Sequence, residues 1–495
     1  MNHAARTALA LGAGAFAFYV AALPPSFAFW DTGELQTVAI ILGIAHPPAC
    51  PAFVLLGWLV AHVVPFGEPA WRVDLMCATA VAVAVGLLYA VARRFGVPVF
   101  VAATCTLGFA FASVTLRDAT RAEVQDLSLA LRALAFVLAL RFYDGGSRRA
   151  LAGSAIATGL AGATHGIALL LVPALLVLVL ARKEGRNGAN LALALGGVSL
   201  GLLPYAYLPL RSAWIFAHGL DPTLALGLPP GSAFWDYDHP STPANFVRVL
   251  TAADFNVHSG FTGFVQFARY PAFGGALLAR LGAAYGVVGA VLAVLGFAML
   301  AFARRPDRTA LLLAALLPVP YTESYTELQD PDRYYLLSLW CAAIALGLAY
   351  EPIVELLSAG NRSIVRAAFL LALATSFASP APGRFGILAQ RDDRSAASYV
   401  ADVRALVPDG AVVLADWAYS TPLAYAAYVQ RAFGRRIVVA ASPQQYVAYY
   451  AGWLRSRPVY VVSFDDALAL PGYRCIAVRR SSYTVYRILS MGDRS

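Results

Sequence analysis

Eleven stretches of this 495-residue chain are apolar over nearly the length a bilayer demands, and that constrains the fold more than any motif. A membrane-crossing helix needs about 20 mostly apolar residues, because the hydrocarbon core offers no water to exposed backbone groups. The stretches are 7–24, 73–92, 97–115, 127–142, 150–163, 166–181, 190–207, 281–303, 309–320, 334–350 and 364–379. The pair 150–163 and 166–181 is short enough to form one hairpin bent at Thr164-His165-Gly166. The 309–320 stretch is also short and ends in Pro318-Val319-Pro320. Composition agrees: 59% of residues are hydrophobic, 13% are charged, and mean hydropathy is +0.64. Soluble domains carry roughly 45–50% and 25%. A string of soluble domains, a coiled coil and a disordered chain are therefore excluded, and a mainly α polytopic membrane protein is expected. Met1–Val20 resembles a signal peptide, but Leu23-Pro24-Pro25 follows in place of a small-residue cleavage site. An uncleaved first membrane helix is expected.

Basic residues flanking the spans set the expected orientation. With the N-terminus inside, fourteen Arg and Lys, from Arg6 to Arg366, fall on the cytoplasmic side. Only Arg72, Arg117, Arg121 and Arg333 fall in the short outer segments. Asp31, Glu34, Glu68, Asp118, Glu123, Glu323, Glu327, Asp330 and Asp332 all lie outside on this reading. Eleven spans then put the C-terminal tail outside as well. The net charge of +9 is not gathered with stacking aromatics, so nucleic acid is not an expected partner. Cys50, Cys77, Cys105, Cys341 and Cys475 show no CxxC pair or metal-ligand spacing.

The expected domains are a polytopic region, 1–384, and a soluble α/β domain, 385–495. Two outer loops, 25–72 and 208–280, interrupt the first. Within the earlier loop, 52–64 is apolar but too short to span, and suits a helix lying in the interface. In the tail, AVVLADW (411–417), RIVVAAS (436–442) and RPVYVVSF (457–464) read as strands. Helical stretches at 393–407, 421–433 and 443–455 lie around them, which predicts a mainly parallel sheet. The tail carries more Arg than Asp and could rest on anionic headgroups.

Several outer residues can do chemistry. In FWDTGEL, Phe29 to Leu35, two carboxylates three apart share a face if the segment is helical. In a partly dry cleft, Asp31 or Glu34 could hold a raised pKa and take a proton from a hydroxyl. The same residues also fit a helix cap, with Asp31 as N-cap and Glu34 three positions on. His46, before Pro47-Pro48, is rigidly placed and can donate to an anionic oxygen, or it is an exposed turn residue. Arg117, Arg121, Arg211 and Arg333 present forks that match phosphate oxygens. Arg117 also fits a turn whose charges pair with one another. His165 sits in its predicted outer turn. Asp330, Asp332 and Arg333, in the motif that begins at Gln329, line a cleft or anchor the interface with Tyr334 and Tyr335. Arg132 lies inside a span, where a balancing contact with Glu123 or Asp126 is expected. Asp236-Tyr237-Asp238-His239 has a DxD spacing, a weak metal signal, and no metal or other cofactor is expected.

The run Trp30-Asp31-Thr32-Gly33-Glu34-Leu35, then LGIAHPP (42–48) and AWRVDL (70–75), resembles the DUF2723 family of multipass membrane proteins, to which transmembrane protein 260 belongs. Arg121-Ala122-Glu123, TGLAGATHGIALLLVPALL (158–176), YLPLRSA (207–213), Asp330 with Tyr334-Tyr335-Leu336, and VLADWAYSTPLAYAAYV (413–429) continue the resemblance. It implies a C-type glycosyltransferase fold, with the active site on the outer face and a sugar, mannose in the named relative, taken from a polyprenyl phosphate. The acceptor would be a protein or glycan hydroxyl. It implies Asp31 as catalytic base; Glu34 is assigned as support for Asp31 or as an acceptor contact. His46, Arg121, Arg211, His165 and Arg333 are the candidates for the donor phosphate. Two departures stand out: Ala49-Cys50 replaces the family's usual Gly-Tyr, and Asp74 replaces Asn. A non-catalytic flippase or assembly scaffold is the alternative. It would place charges through the depth of several spans, whereas here Arg132 is the main one.

Overall fold

The computed structural model describes residues 3–255, 258–325, 330–357, 361–378 and 384–491. Glu327 and Gln329 lie outside the described residues. Each of the eleven apolar stretches is mostly helical over its described residues, and the chain divides into two compact units.

The first unit comprises Met1–Leu23, Leu75–Tyr205 and Ala252–Arg391. Among the described residues, four helices are long and apolar enough to cross a membrane, and six if each of two bent pairs counts as one span. One bent pair, Val99–Ala110 with Ser113–Ala119, turns by 61°. The other eleven-stretch members are shorter or carry more charge. Small residues let these helices approach closely, which substitutes for the hydrophobic drive that lipid removes. At one crossing Gly159 and Gly201 face each other: a Cβ on Gly159 would lie 2.2 Å from the Val198 carbonyl oxygen. The helix Leu336–Leu357 is the most enclosed, with Trp340 fully buried and donating to the Ala84 carbonyl at 2.9 Å.

Arg132 does not find its expected partner. It is buried on the helix Val124–Gly145, donates to the Ser128 carbonyl at 3.3 Å, and makes no ion pair with Glu123 or Asp126. The reason is angular. At about 100° per residue, Glu123 lies on the opposite side of that helix, and Asp126 about a third of a turn away.

The second unit gathers Pro24–Asp74, Ala206–Thr251 and Asp392–Ser495. Its centre is a five-stranded sheet, β1 Val412–Ala415, β2 Ile437–Ala440, β3 Val459–Ser463, β4 Tyr473–Arg480 and β5 Thr484–Ser490, in the order β2-β1-β3-β5-β4. β1 pairs parallel to β2 and β3, as the three sequence strands predict. β5 runs antiparallel to both β3 and β4, so the sheet is mixed rather than mainly parallel. The hairpin escaped notice because β4, YRCIAVRR, is partly exposed and studded with Arg, which dilutes the strand pattern. One face of the sheet packs Val413, Ala415, Tyr460 and Val462 against Tyr399, Val403, Leu423 and Tyr425, together with Phe27 and Ala70 from the early loop. The early loop is thus part of the tail domain's core. The predicted apolar segment at 52–64 forms the helix Pro51–Val63, which buries Phe53 and Val54 and exposes Leu56, Trp58, Leu59 and Val63.

Candidate active site

The carboxylates of the DTGEL run stand on the helix Trp30–Ile41. Its N-cap is Phe29, with no side-chain cap. The capping-box reading therefore fails, and both acids are engaged elsewhere. Gly33 explains part of the motif: a Cβ there would lie 2.2 Å from the Ala28 carbonyl oxygen and 3.0 Å from the Thr421 hydroxyl. Only glycine lets the incoming chain and the tail helix Trp417–Ala424 come so close. Gln36, one turn on, ties the start together. It accepts from the Ala28 N–H at 3.0 Å and donates to both oxygens of buried Asp74 at 2.9 and 3.0 Å. The Asp that replaces Asn thus still serves as an acceptor.

Asp31 is half-buried, and its Oδ1 accepts from the indole Nε1–H of Trp417 at 2.9 Å. Trp417 comes from the tail, 386 positions away. Its ring stacks on Phe234 at 5.7 Å and 7°, and meets His46 edge-on at 6.0 Å and Tyr237 at 6.4 Å. Three separate segments of the unit therefore converge beside Asp31: the early loop, residues 234–237 and the start of the tail helix. Sequence reasoning missed Trp417, because a contact over that separation leaves no periodic or spacing signal.

Glu34 is fully buried and takes two contacts from one residue. The His46 backbone N–H donates to Oε1 at 2.7 Å, and His46 Nδ1 is bonded to Oε2. Such a carboxylate–imidazole pair fixes the orientation of the ring. Beyond His46, Ala49 and Cys50 both adopt left-handed backbone, φ +63° and +43°. Glycine adopts this region freely, and a side chain makes it costly. Trp30, adjoining Asp31, also has a positive φ of 58° and is half exposed, against Phe464 at 6.4 Å. Strain of this kind collects at functional sites.

Arg211 has a different task from the phosphate contact expected of it. Its Nε and Nη2 donate to the Leu42 and Ile41 carbonyls at 2.6 and 3.0 Å. It thereby closes the C-terminal end of the DTGEL helix, where carbonyls lack helical partners. The Tyr207 hydroxyl holds the next carbonyl, Gly43, at 3.0 Å. The DxD-like run is committed internally too. Asp236 accepts from His239 Nδ1 at 2.6 Å, and His239 Nε2 faces the Ser241 hydroxyl at 2.7 Å. Burial holds the Asp236 carboxyl above its ordinary pKa, against the opposing pull of its Ser212 and His239 bonds. Among the described residues, no three His, Cys, Asp or Glu side chains converge as a metal site would require.

The remaining candidates lie in the first unit and form their own network. Arg121 bonds Asp118 at 2.8 Å and Asp330 at 3.3 Å, and stands 3.6 Å from Glu123. Arg117 bonds Asp118 and Asp330, both at 3.2 Å, and Arg333 bonds Glu123 at 3.0 Å. Three guanidinium groups thus balance three carboxylates, as the self-pairing reading of Arg117 predicts. Asp332 instead takes Arg280 at 3.0 Å. The ring of His165 packs edge-on to Tyr334 at 5.4 Å, and its Nδ1 accepts from the Ile167 N–H at 3.3 Å.

Residues 31–187 match the family described as the N-terminal domain of the protein O-mannosyl-transferase TMEM260. The chain is 35% identical over 217 residues to the protein O-mannosyl-transferase TMEM260 of Mus musculus, covering 42% of this chain and 31% of that one. It is 41% identical over 54 residues to its counterpart in Dictyostelium discoideum, 10% of this chain and 7% of that one. The aligned part is therefore about a third of the mouse relative's length. Among solved structures, the fold is similar to archaeal oligosaccharyltransferase AglB from Archaeoglobus fulgidus, in complex with an inhibitory peptide and a dolichol-phosphate. The TM-score is 0.56 at 14% identity, over 92% of this chain and 69% of that one. It is also similar to ArnT from Cupriavidus metallidurans bound to undecaprenyl phosphate, with a TM-score of 0.54 at 14% identity over 96% of both chains. The fold shared with these two structures is a multi-pass helical membrane fold, carrying here a small C-terminal sheet domain.

Proposed function

We propose that this chain, with its TMEM260-type N-terminal domain on a C-type glycosyltransferase fold, moves a sugar from a polyprenyl-phosphate donor to a hydroxyl of a protein or glycan. The relatives' names support mannose as the sugar. The observation that carries the reading is Asp31: a half-buried carboxylate oriented by an indole N–H, beside buried Glu34 paired with half-buried His46. Asp31 takes the acceptor proton as the acceptor oxygen bonds the sugar's anomeric carbon. The bond from that carbon to the phosphate oxygen breaks, and polyprenyl phosphate leaves with the electron pair. Glu34 holds His46 in place. His46 is the proposed donor-phosphate ligand beside Asp31; Arg121, Arg333 and His165 are proposed as phosphate-binding residues of the first unit, the two arginines by exchanging Asp330 and Glu123 for phosphate oxygens. Arg211 has no such part, since two of its nitrogens hold helix carbonyls.

A lipid donor requires a site open to the membrane surface. The helix Pro51–Val63 supports this, because its outward face is Leu56, Trp58, Leu59 and Val63, an apolar surface suited to the interface. The proposed orientation has the N-terminus cytoplasmic and the tail domain outside, from the fourteen-to-four distribution of basic residues. Membranes holding the protein and supplied with polyprenyl-phosphate mannose should release polyprenyl phosphate and a mannosylated acceptor. No transfer from any polyprenyl-phosphate sugar would remove the enzymatic reading in favour of transport or scaffolding.

A further inference from the structure

Trp417 has no place in the reaction as sequence alone would write it, yet its setting beside Asp31 is closely constrained. The indole is clamped between Phe234, stacked at 7°, and the edges of His46 and Tyr237. The turn before it is tied down as well: Asp416 accepts from the Ser463 hydroxyl at 2.8 Å, at the end of β3. From Trp417 the tail helix runs along the DTGEL helix, with Thr421 against Gly33. A side chain held on three sides keeps one rotamer, so the direction of its N–H is built in. That N–H points at the carboxylate proposed as base.

We propose that Trp417 is a positioning residue of the transfer reaction. Its indole N–H orients the Asp31 carboxylate and favours the ionised form, so the C-terminal α/β domain completes the catalytic centre. The inference rests on Asp31 as base. A donor bonded to a carboxylate stabilises its charge, and a base that is ionised and aimed before substrate arrives wastes neither binding energy nor time. Losing the N–H removes one contact that aims the carboxylate and makes it easier to protonate.

The test uses the full chain in membranes, with Trp417→Phe and with a benzothienylalanine at 417. The second keeps the bicyclic shape and lacks the N–H. The ionisable groups on elements packed around the DTGEL helix include Glu34, His46, Glu68, Asp74, Tyr207, Arg211, Asp236, Tyr237, Asp416 and Tyr425, and none of them is changed in either variant. A moved limb of the pH profile is then read on Asp31. The expected result is a rise of about one pH unit in the acid limb of kcat/KM. Alongside it, kcat should fall about tenfold with little change in KM. A benzothienylalanine variant with the wild-type profile and kcat, while Asp31→Asn is inactive, overturns the role of Trp417 alone. Wild-type transfer by Asp31→Asn overturns the base, and with it this inference.

Discussion

Replacing Glu34 tests how the site is held together. Glu34 is fully buried and accepts both the backbone N–H and the ring Nδ1 of His46. Hydrogen bonds to an ionised group contribute about 1.5–3 kcal/mol each. Glu34→Ala removes both and leaves a small void, so the loss should fall at about 3–5 kcal/mol. The His46 side chain is 24% exposed, so water can reach the ring and the lower end, about 3 kcal/mol, is expected. Glu34→Gln keeps the volume. Its amide oxygen still accepts the backbone N–H, and its NH2 meets an imidazole that must switch tautomer, at a cost of about 1 kcal/mol. Unfolding of the second unit, followed by tryptophan fluorescence in detergent, should then show melting temperatures falling by roughly 3 °C for Gln and 10 °C for Ala. An Ala variant melting within about 2 °C of wild type would refute the reasoning, since the pair would then hold nothing. Gln as damaging as Ala would place the effect in charge rather than shape.

Two further outcomes follow from the same unit. Gly33→Ala puts a methyl 2.2 Å from a backbone carbonyl that cannot rotate away, so a loss of folded protein of about 3 kcal/mol or more is expected by thermal melt. Unchanged melting would show that the Ala28 segment yields freely. Glu68 gives a pH signature. Burial holds its carboxyl above the ordinary value, while the bonds from Tyr425 and the Ala70 N–H pull the other way. A raised acid means the folded state binds the proton more tightly, so stability is highest in acid and declines as pH rises past the ordinary carboxylate range. In Glu68→Gln that decline should be smaller, as read by urea unfolding from about pH 4 to 7. Parallel slopes in the two proteins would remove Glu68 as its source.

What the sequence made legible was what depends on local pattern. Apolar runs located all eleven helical stretches, and branched residues located β1, β2 and β3. Bends were harder, because the 61° turn near Phe111 involves no proline and so leaves no local signal. The early loop hid its allegiance: nothing in Phe27 or Ala70 announces that they join the core of a domain beginning over 300 positions later. Side-chain assignments divided along the same line. The importance of the DTGEL and HPP runs could be read, because residue type and spacing carry it. The partner of each group could not. A guanidinium at the start of a loop matches a phosphate and a helix end equally well, and only the fold sends Arg211 to Ile41 and Leu42. Trp417 is the extreme case, a tail residue whose role exists only through Asp31.

Asp31 itself supplies the sharpest measurement: single-turnover transfer from polyprenyl-phosphate mannose by wild type and Asp31→Asn, with donor binding followed in the same membranes by photolabelling. Loss of a general base with geometry kept predicts undiminished labelling and transfer slower by about 10²–10⁴-fold. Asn transferring as fast as Asp would contradict the account at its centre.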